Sequence, residues 1–96
     1  MIESFENRLA EDLFNDRNSR AIRAFAPDLW RVTRRKLLYL HDACELKDLR
    51  VPPGNRLEIL RGTRNGKYSI RINRQWRIVL RWQTGNAFEV EVTDYH

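Results

Sequence analysis

Apolar positions along the chain follow two periods. Phe5, Leu9 and Leu13, with Phe14, recur at i, i+4 and i+8, predicting a first helix over roughly 6–15 after a short strand at residues 1–5. Asn15 to Ala26 is polar and irregular, predicting a linker that exposes Arg17, Arg20 and Arg23. Pro27 and Asp28 suit the first turn of a second helix, where proline gives up no needed N–H and aspartate meets the positive helix end. That helix is predicted to reach about Cys44. Leu29, Val32, Leu37, Leu40, Ala43 and Cys44 form its apolar stripe, and Arg31, Arg34 and Arg35 line the other side. Leu46, Leu49 and Val51 continue as a tether until Pro52-Pro53-Gly54, which cannot continue a helix.

Beyond this point the period drops to two. Leu57-Glu58-Ile59-Leu60 reads as a strand, then a turn over Arg61 to Gly66, then the alternating strand Tyr68 to Ile72. A tight turn at Asn73-Arg74-Gln75 leads into the strand Trp76 to Trp82. Thr84-Gly85-Asn86 marks a hairpin turn, and Phe88 to Thr93 alternates as the last strand. The predicted fold is a single α+β domain over residues 1–96, with two N-terminal helices packed on one face of a twisted, mainly antiparallel β-sheet.

Composition narrows the functional classes. Ninety-six residues, 42% hydrophobic and 32% charged, suit one small globular domain and exclude a solenoid or a large cofactor-binding fold. No apolar run approaches the ~18 residues of a membrane span. The first residues lack the basic start and apolar stretch of a signal peptide, so a cytoplasmic protein without membrane association is expected. Cys44 is the single cysteine and reads as a small buried hydrophobe; with two histidines it is too little for a zinc site. The net charge of +5 is unevenly spread. Residues 1–30 carry four basic and six acidic groups, residues 31–81 fourteen basic and four acidic, and residues 82–96 three acidic and no Lys or Arg. Most of the cations are arginine, whose planar fork grips phosphate and stacks on bases. A basic middle of this kind points to nucleic acid, with a solvated basic surface or an acidic protein partner as the alternatives.

The chain has no P-loop, GxGxxG, HExxH, CxxC or paired-carboxylate metal motif, so no metal or cofactor is implied. The chemistry open to such a domain is RNA cleavage, in which the substrate supplies its own 2′-OH nucleophile and the protein a base, an acid and a cation. Asp94-Tyr95-His96 is the sharpest local feature: a group titrating near neutrality, an aromatic ring and a carboxylate follow directly from a strand. Strand alternation would put Asp94 and His96 on one face and Tyr95 on the other. Arg61, Arg77 and Arg81 lie near or within the strands; Arg77 faces opposite to Trp76 and Ile78, toward solvent or into a cleft. Trp76, Trp82, Phe88 and Tyr68 read first as packing aromatics, and His41 as an edge residue of the packed helix face.

The run Pro53-Gly54-Asn55-Arg56-Leu57-Glu58, then Arg61-Gly62-x-Arg64-x-Gly66-x-Tyr68-Ser69-Ile70, then Asn73-x-x-Trp76-Arg77-Ile78, closing on Asp94-Tyr95-His96, resembles HigB-type toxins of the RelE superfamily. The resemblance covers essentially the whole chain. It implies a compact, metal-independent ribonuclease of a bacterial type II toxin–antitoxin pair, cleaving mRNA in the ribosomal A site. It also implies a HigA-type antitoxin with a helix-turn-helix domain, through which alone the complex would meet operator DNA. Carried over by motif, Arg77 would stabilise the scissile phosphate and Arg61 would make a second phosphate contact, with Arg56, Arg64, Arg34 and Arg35 as further RNA-binding candidates. Asp94, Tyr95 and His96 would form the terminal catalytic set, with His96 as proton donor or acceptor. One position departs from the pattern. Active members carry a histidine three residues before the Arg61 position, where this chain has Glu58. Glu58 is then a substitute base, an ion-pair partner of Arg56 or Arg77, or a sign of attenuated activity.

Overall fold

The computed structural model of the chain describes residues 1–62 and 66–94. Helix α1 spans Arg8–Phe14. The Asn7 side chain caps it, accepting from the Ala10 N–H at 3.1 Å, while its Nδ2 donates to the Val92 carbonyl at 2.8 Å. One asparagine thus starts the helix and fastens it to the sheet. The expected linker over 15–26 holds a further helix, α2, Arg20–Ala24, started by the Ser19 hydroxyl accepting from the Ile22 N–H at 3.3 Å. Its single turn exists because Ile22 and Phe25 are buried, a tertiary gain that the polar local sequence does not display.

A 3-10 turn at Pro27–Leu29 leads into α3, Trp30–Asp42. Its packed face is Thr33, Leu37 and Leu40, all fully buried. The helix stops two residues short of Cys44, because Ala43 turns extended and the Asp48 carboxylate accepts from the Cys44 and Glu45 N–H groups at 3.1 and 3.0 Å. Cys44 therefore lies off the stripe and is exposed, correcting its expected burial. Two 3-10 turns follow, Leu46–Arg50 and Pro53–Asn55.

The strands are β1 (Glu58–Ile59), β2 (Tyr68–Arg71), β3 (Trp76–Gln83) and β4 (Asn86–Asp94). They form an antiparallel sheet in the order β1-β2-β3-β4. The expected N-terminal strand appears as two parallel bridges on the outer edge of β4, Ile2 with Ala87 and Phe5 with Val90. Between β3 and β4 the loop is Thr84-Gly85, both at positive φ (47° and 81°), the backbone that a tight hairpin between twisted strands requires.

Ile70, Ile78, Leu80, Val90 and Val92 join Ala10, Leu13, Leu37 and Leu40 in one buried cluster, so the helices cover one face of the sheet. This is the expected α+β arrangement. His41 is structural: its Nδ1 accepts from the Ile2 N–H at 3.1 Å, and its ring packs on Phe14 at 5.1 Å. Among the described residues no helix is long and apolar enough to cross a membrane.

Candidate active site on the sheet face away from the helices

Paired residues of an antiparallel sheet share a face, and so do residues two apart on a strand. The register therefore builds the second face in rows. Glu58, Ser69, Val79 and Glu91 form one row, and Arg71, Arg77 and Thr93 the next. The Leu60 N–H donates to the Lys67 carbonyl at 2.8 Å, extending the pairing into a third row with Arg81 and Phe88. The alternation that sends Ile70, Ile78 and Leu80 into the core thus delivers four cations and two carboxylates to the opposite face.

At the centre is Arg77, with its side chain only 14% exposed. Its NH1 donates to the Ser69 hydroxyl at 3.0 Å, and its NH2 lies 3.5 Å from Glu58 Oε1. Ser69 is fully buried, so its hydroxyl is a fixed acceptor that sets the direction of the guanidinium. Glu58, its side chain 47% exposed, supplies the charged partner from the edge strand β1. Of the three readings of Glu58, the ion pair with Arg77 is the one seen in the structure.

A second charged group stands along β3. The register between β3 and β4 shifts at Val79/Arg81, and there Glu89 adopts φ 53°. Its carboxylate meets Arg81 Nε at 3.1 Å and Lys67 Nζ at 3.4 Å. Those hydrogen bonds, Arg81 first and Lys67 second, hold the Glu89 carboxyl below the usual carboxylate range. Gly66 admits this arrangement: at φ 87° it has no Cβ, and one placed there would lie 3.1 Å from Arg81 NH1.

The other sequence candidates are more scattered. Arg61 is exposed and borders a groove of about 630 Å³ between the Leu46–Arg50 turn and β1, with Lys47, Arg50, Glu58 and Tyr68. Arg56 is exposed at φ 44°, directly after Asn55. Asn55 is buried; its Nδ2 donates to the Leu49 and Val51 carbonyls and its Oδ1 accepts from Lys36 Nζ. Burial and the nearby Arg35 lower the pKa of Lys36. Asp94 ends β4 in register with Trp76, in the alternation that points to the helix side, and accepts from Gln75 Nε2 at 3.0 Å. Arg34 and Arg35 belong to α3, on the helix layer, and are not brought together with Arg77. Arg64, Tyr95 and His96 lie outside the described residues.

Sequence reasoning passed over Ser69, Lys67 and Glu89 as site residues. The alternation of β2 carried the signal for the first two, since Lys67, Ser69 and Arg71 fall on the face of Arg77. Glu89 left no such signal, because the bulge that turns it is a property of the strand pair.

A profile of the HigB-like toxins, the RelE-like toxins of type II toxin–antitoxin systems, matches residues 3–96. Toxin HigB-1 of Vibrio cholerae serotype O1 is 36% identical over 87 residues, which cover 91% of this chain and 90% of the relative. An uncharacterized protein of Haemophilus influenzae is 38% identical over 60 residues, covering 62% of this chain and 59% of its own. With a profile match over nearly its full length and a toxin relative of the same extent, this chain belongs to the HigB-like family of RelE-like toxins of type II toxin–antitoxin systems.

Proposed function

We propose that the protein is a ribosome-dependent, metal-independent endoribonuclease that cleaves mRNA in the ribosomal A site and so inhibits translation, held in check by a HigA-type antitoxin. The observation that carries this reading is the Arg77–Ser69–Glu58 cluster on the sheet face away from the helices. A guanidinium aimed by a buried hydroxyl is a preorganised donor for a phosphate that gains charge in the transition state. In the proposed step the 2′-oxygen bonds to the adjacent phosphorus and the P–O5′ bond breaks. A base takes the 2′-OH proton, and an acid returns a proton to the 5′-oxygen. In this reading Glu58, the ion-pair partner of Arg77, is the base, and His96 and Tyr95 serve as proton donor and stacking ring. Asp94, which the β4 alternation points away from Arg77, acts by positioning the strand end; Arg61 and Arg56 guide the RNA strand along the β1 edge, and Arg64 is a further RNA contact. The protein acts in the cytoplasm, where the ribosome is.

The Glu58–Arg77 pair also favours a second reading. Each group occupies the other before substrate arrives, which attenuates the base and the phosphate clamp together. In its limit the protein binds RNA or the ribosome without cutting and acts mainly as a partner of the antitoxin repressor. Translation of a defined mRNA on purified ribosomes separates the two: new 5′ ends within codons, absent with Arg77→Ala, support the nuclease. Stalling without new ends supports the binding module.

A further inference from the structure

The helix layer carries a groove that the chemistry of the sheet face does not use. It holds about 550 Å³ between the end of α1, α2 and the first half of α3. Its floor is apolar, with Leu13 and Ile22 buried and Trp30 half-buried. The indole is fixed by Nε1–H donating to the Phe25 carbonyl at 3.1 Å. Its rim is cationic, with Arg17, Arg31 and Arg34 facing the single carboxylate of Asp16. Arg17, still half-exposed, lies 3.9 Å from the buried carboxylate of Asp12. Arg34 Nε is buried and has no hydrogen-bond partner among the described residues. That buried nitrogen is out of a ligand's reach, as are the two Asp12 oxygens, likewise without a hydrogen bond among the described residues, so what the groove offers a ligand is the net positive charge of its arginine rim.

We propose that this groove seats an acidic segment of the antitoxin, with carboxylates on Arg31 and Arg34 and an apolar side chain on the Leu13–Ile22–Trp30 floor. The family supplies the partner: a type II toxin is paired with an antitoxin protein. The chemistry of the groove supplies the rest. Carboxylates match the arginine forks, and an apolar floor suits a side chain better than a sugar–phosphate backbone. Because α1 and α3 cover the opposite face of the sheet, a segment bound here leaves Glu58, Ser69 and Arg77 uncovered. The inference rests on family membership and not on cleavage.

The test is calorimetric titration of the whole chain with its antitoxin. Reversing Arg31 and Arg34 together to Glu is expected to weaken binding by about 10- to 100-fold. Arg74→Glu, a matched reversal on the exposed β2–β3 turn, stays within about twofold of wild type, as rim charges remote from an interface do. Circular dichroism checks the fold. Should the double variant misfold, Arg31→Glu alone carries the test, since Arg31 is exposed on the rim. Unchanged antitoxin affinity overturns the proposal. Unchanged affinity together with lost co-sedimentation with ribosomes reassigns the groove to RNA.

Discussion

Arg77 on β3 reaches diagonally over β2 to Glu58 on β1, with NH2 3.5 Å from Oε1, and on the way its NH1 meets the Ser69 hydroxyl at 3.0 Å. Two strands therefore share the task of aiming one guanidinium. The two contacts differ in kind. Ser69 is fully buried and holds a fixed position, whereas Glu58 is half-exposed and screened by water.

Replacing Ser69 by Ala removes the buried acceptor of NH1 and loosens the aim of the guanidinium. Cleavage on ribosomes should fall by about tenfold, equivalent to ~1.4 kcal/mol of barrier, with only ~1 kcal/mol lost in stability. Paired measurements of cleavage rate and urea midpoint check this. A stability loss with full activity would show that Ser69 does not aim Arg77.

Glu58→Ala breaks an exposed pair and should change stability by less than about 1 kcal/mol. Glu58→His, which introduces a group titrating near neutrality and takes the carboxylate away from Arg77 NH2, should raise cleavage several-fold. Comparing 5′-end yields for wild type, Ala and His at this position checks it; a loss with His would contradict the attenuated-base account.

The Glu89 latch gives a pH dependence. Its carboxyl is held below the ordinary value by Arg81 and Lys67, so the folded chain binds fewer protons there than the unfolded chain. The stabilisation is complete above the unfolded-state value of about 4.3 and is lost as pH falls through the lower folded value. The difference in melting temperature between wild type and Glu89→Gln should be largest near neutrality and shrink in acid. A difference that grew on acidification would contradict the latch.

Asn55→Ala leaves the Leu49 and Val51 carbonyls and the Lys36 ammonium without their buried partner. The expected cost is about 2–3 kcal/mol, a drop of roughly 10 °C or more in melting temperature for a domain of this size. Thermal unfolding followed by circular dichroism reads it directly. A shift of a degree or two would mean that Asn55 does not secure the approach to Arg56 and β1.

These sites were unequally legible in the sequence. The strands could be read because Tyr68 to Ile72, Trp76 to Trp82 and Phe88 to Thr93 alternate, and alternation states which residues share a face. It placed Arg77 opposite Trp76 and Ile78, as found. Helix α2 was hidden because a single turn lives on the burial of Ile22 and Phe25, contacts made far along the chain. The burial expected of Cys44 fails because the α3 stripe continues in register past Asp42, while the stop comes from Asp48, four residues beyond Cys44. The Glu89 latch depends on a bulge, and the cationic groove on three helices meeting; neither has a period to read.

The proposed role of Arg77, aimed by Ser69 and Glu58, is in RNA cleavage on the ribosome. Its most direct test is inducible expression in a bacterium, untagged at the C-terminus, with mRNA 5′ ends mapped for wild type, Arg77→Ala and His96→Ala. The account predicts new ends within translated codons for wild type, reduced by about 100-fold or more in both variants, with the fold of each retained. Growth arrest without new ends, equal in all three proteins, would contradict it.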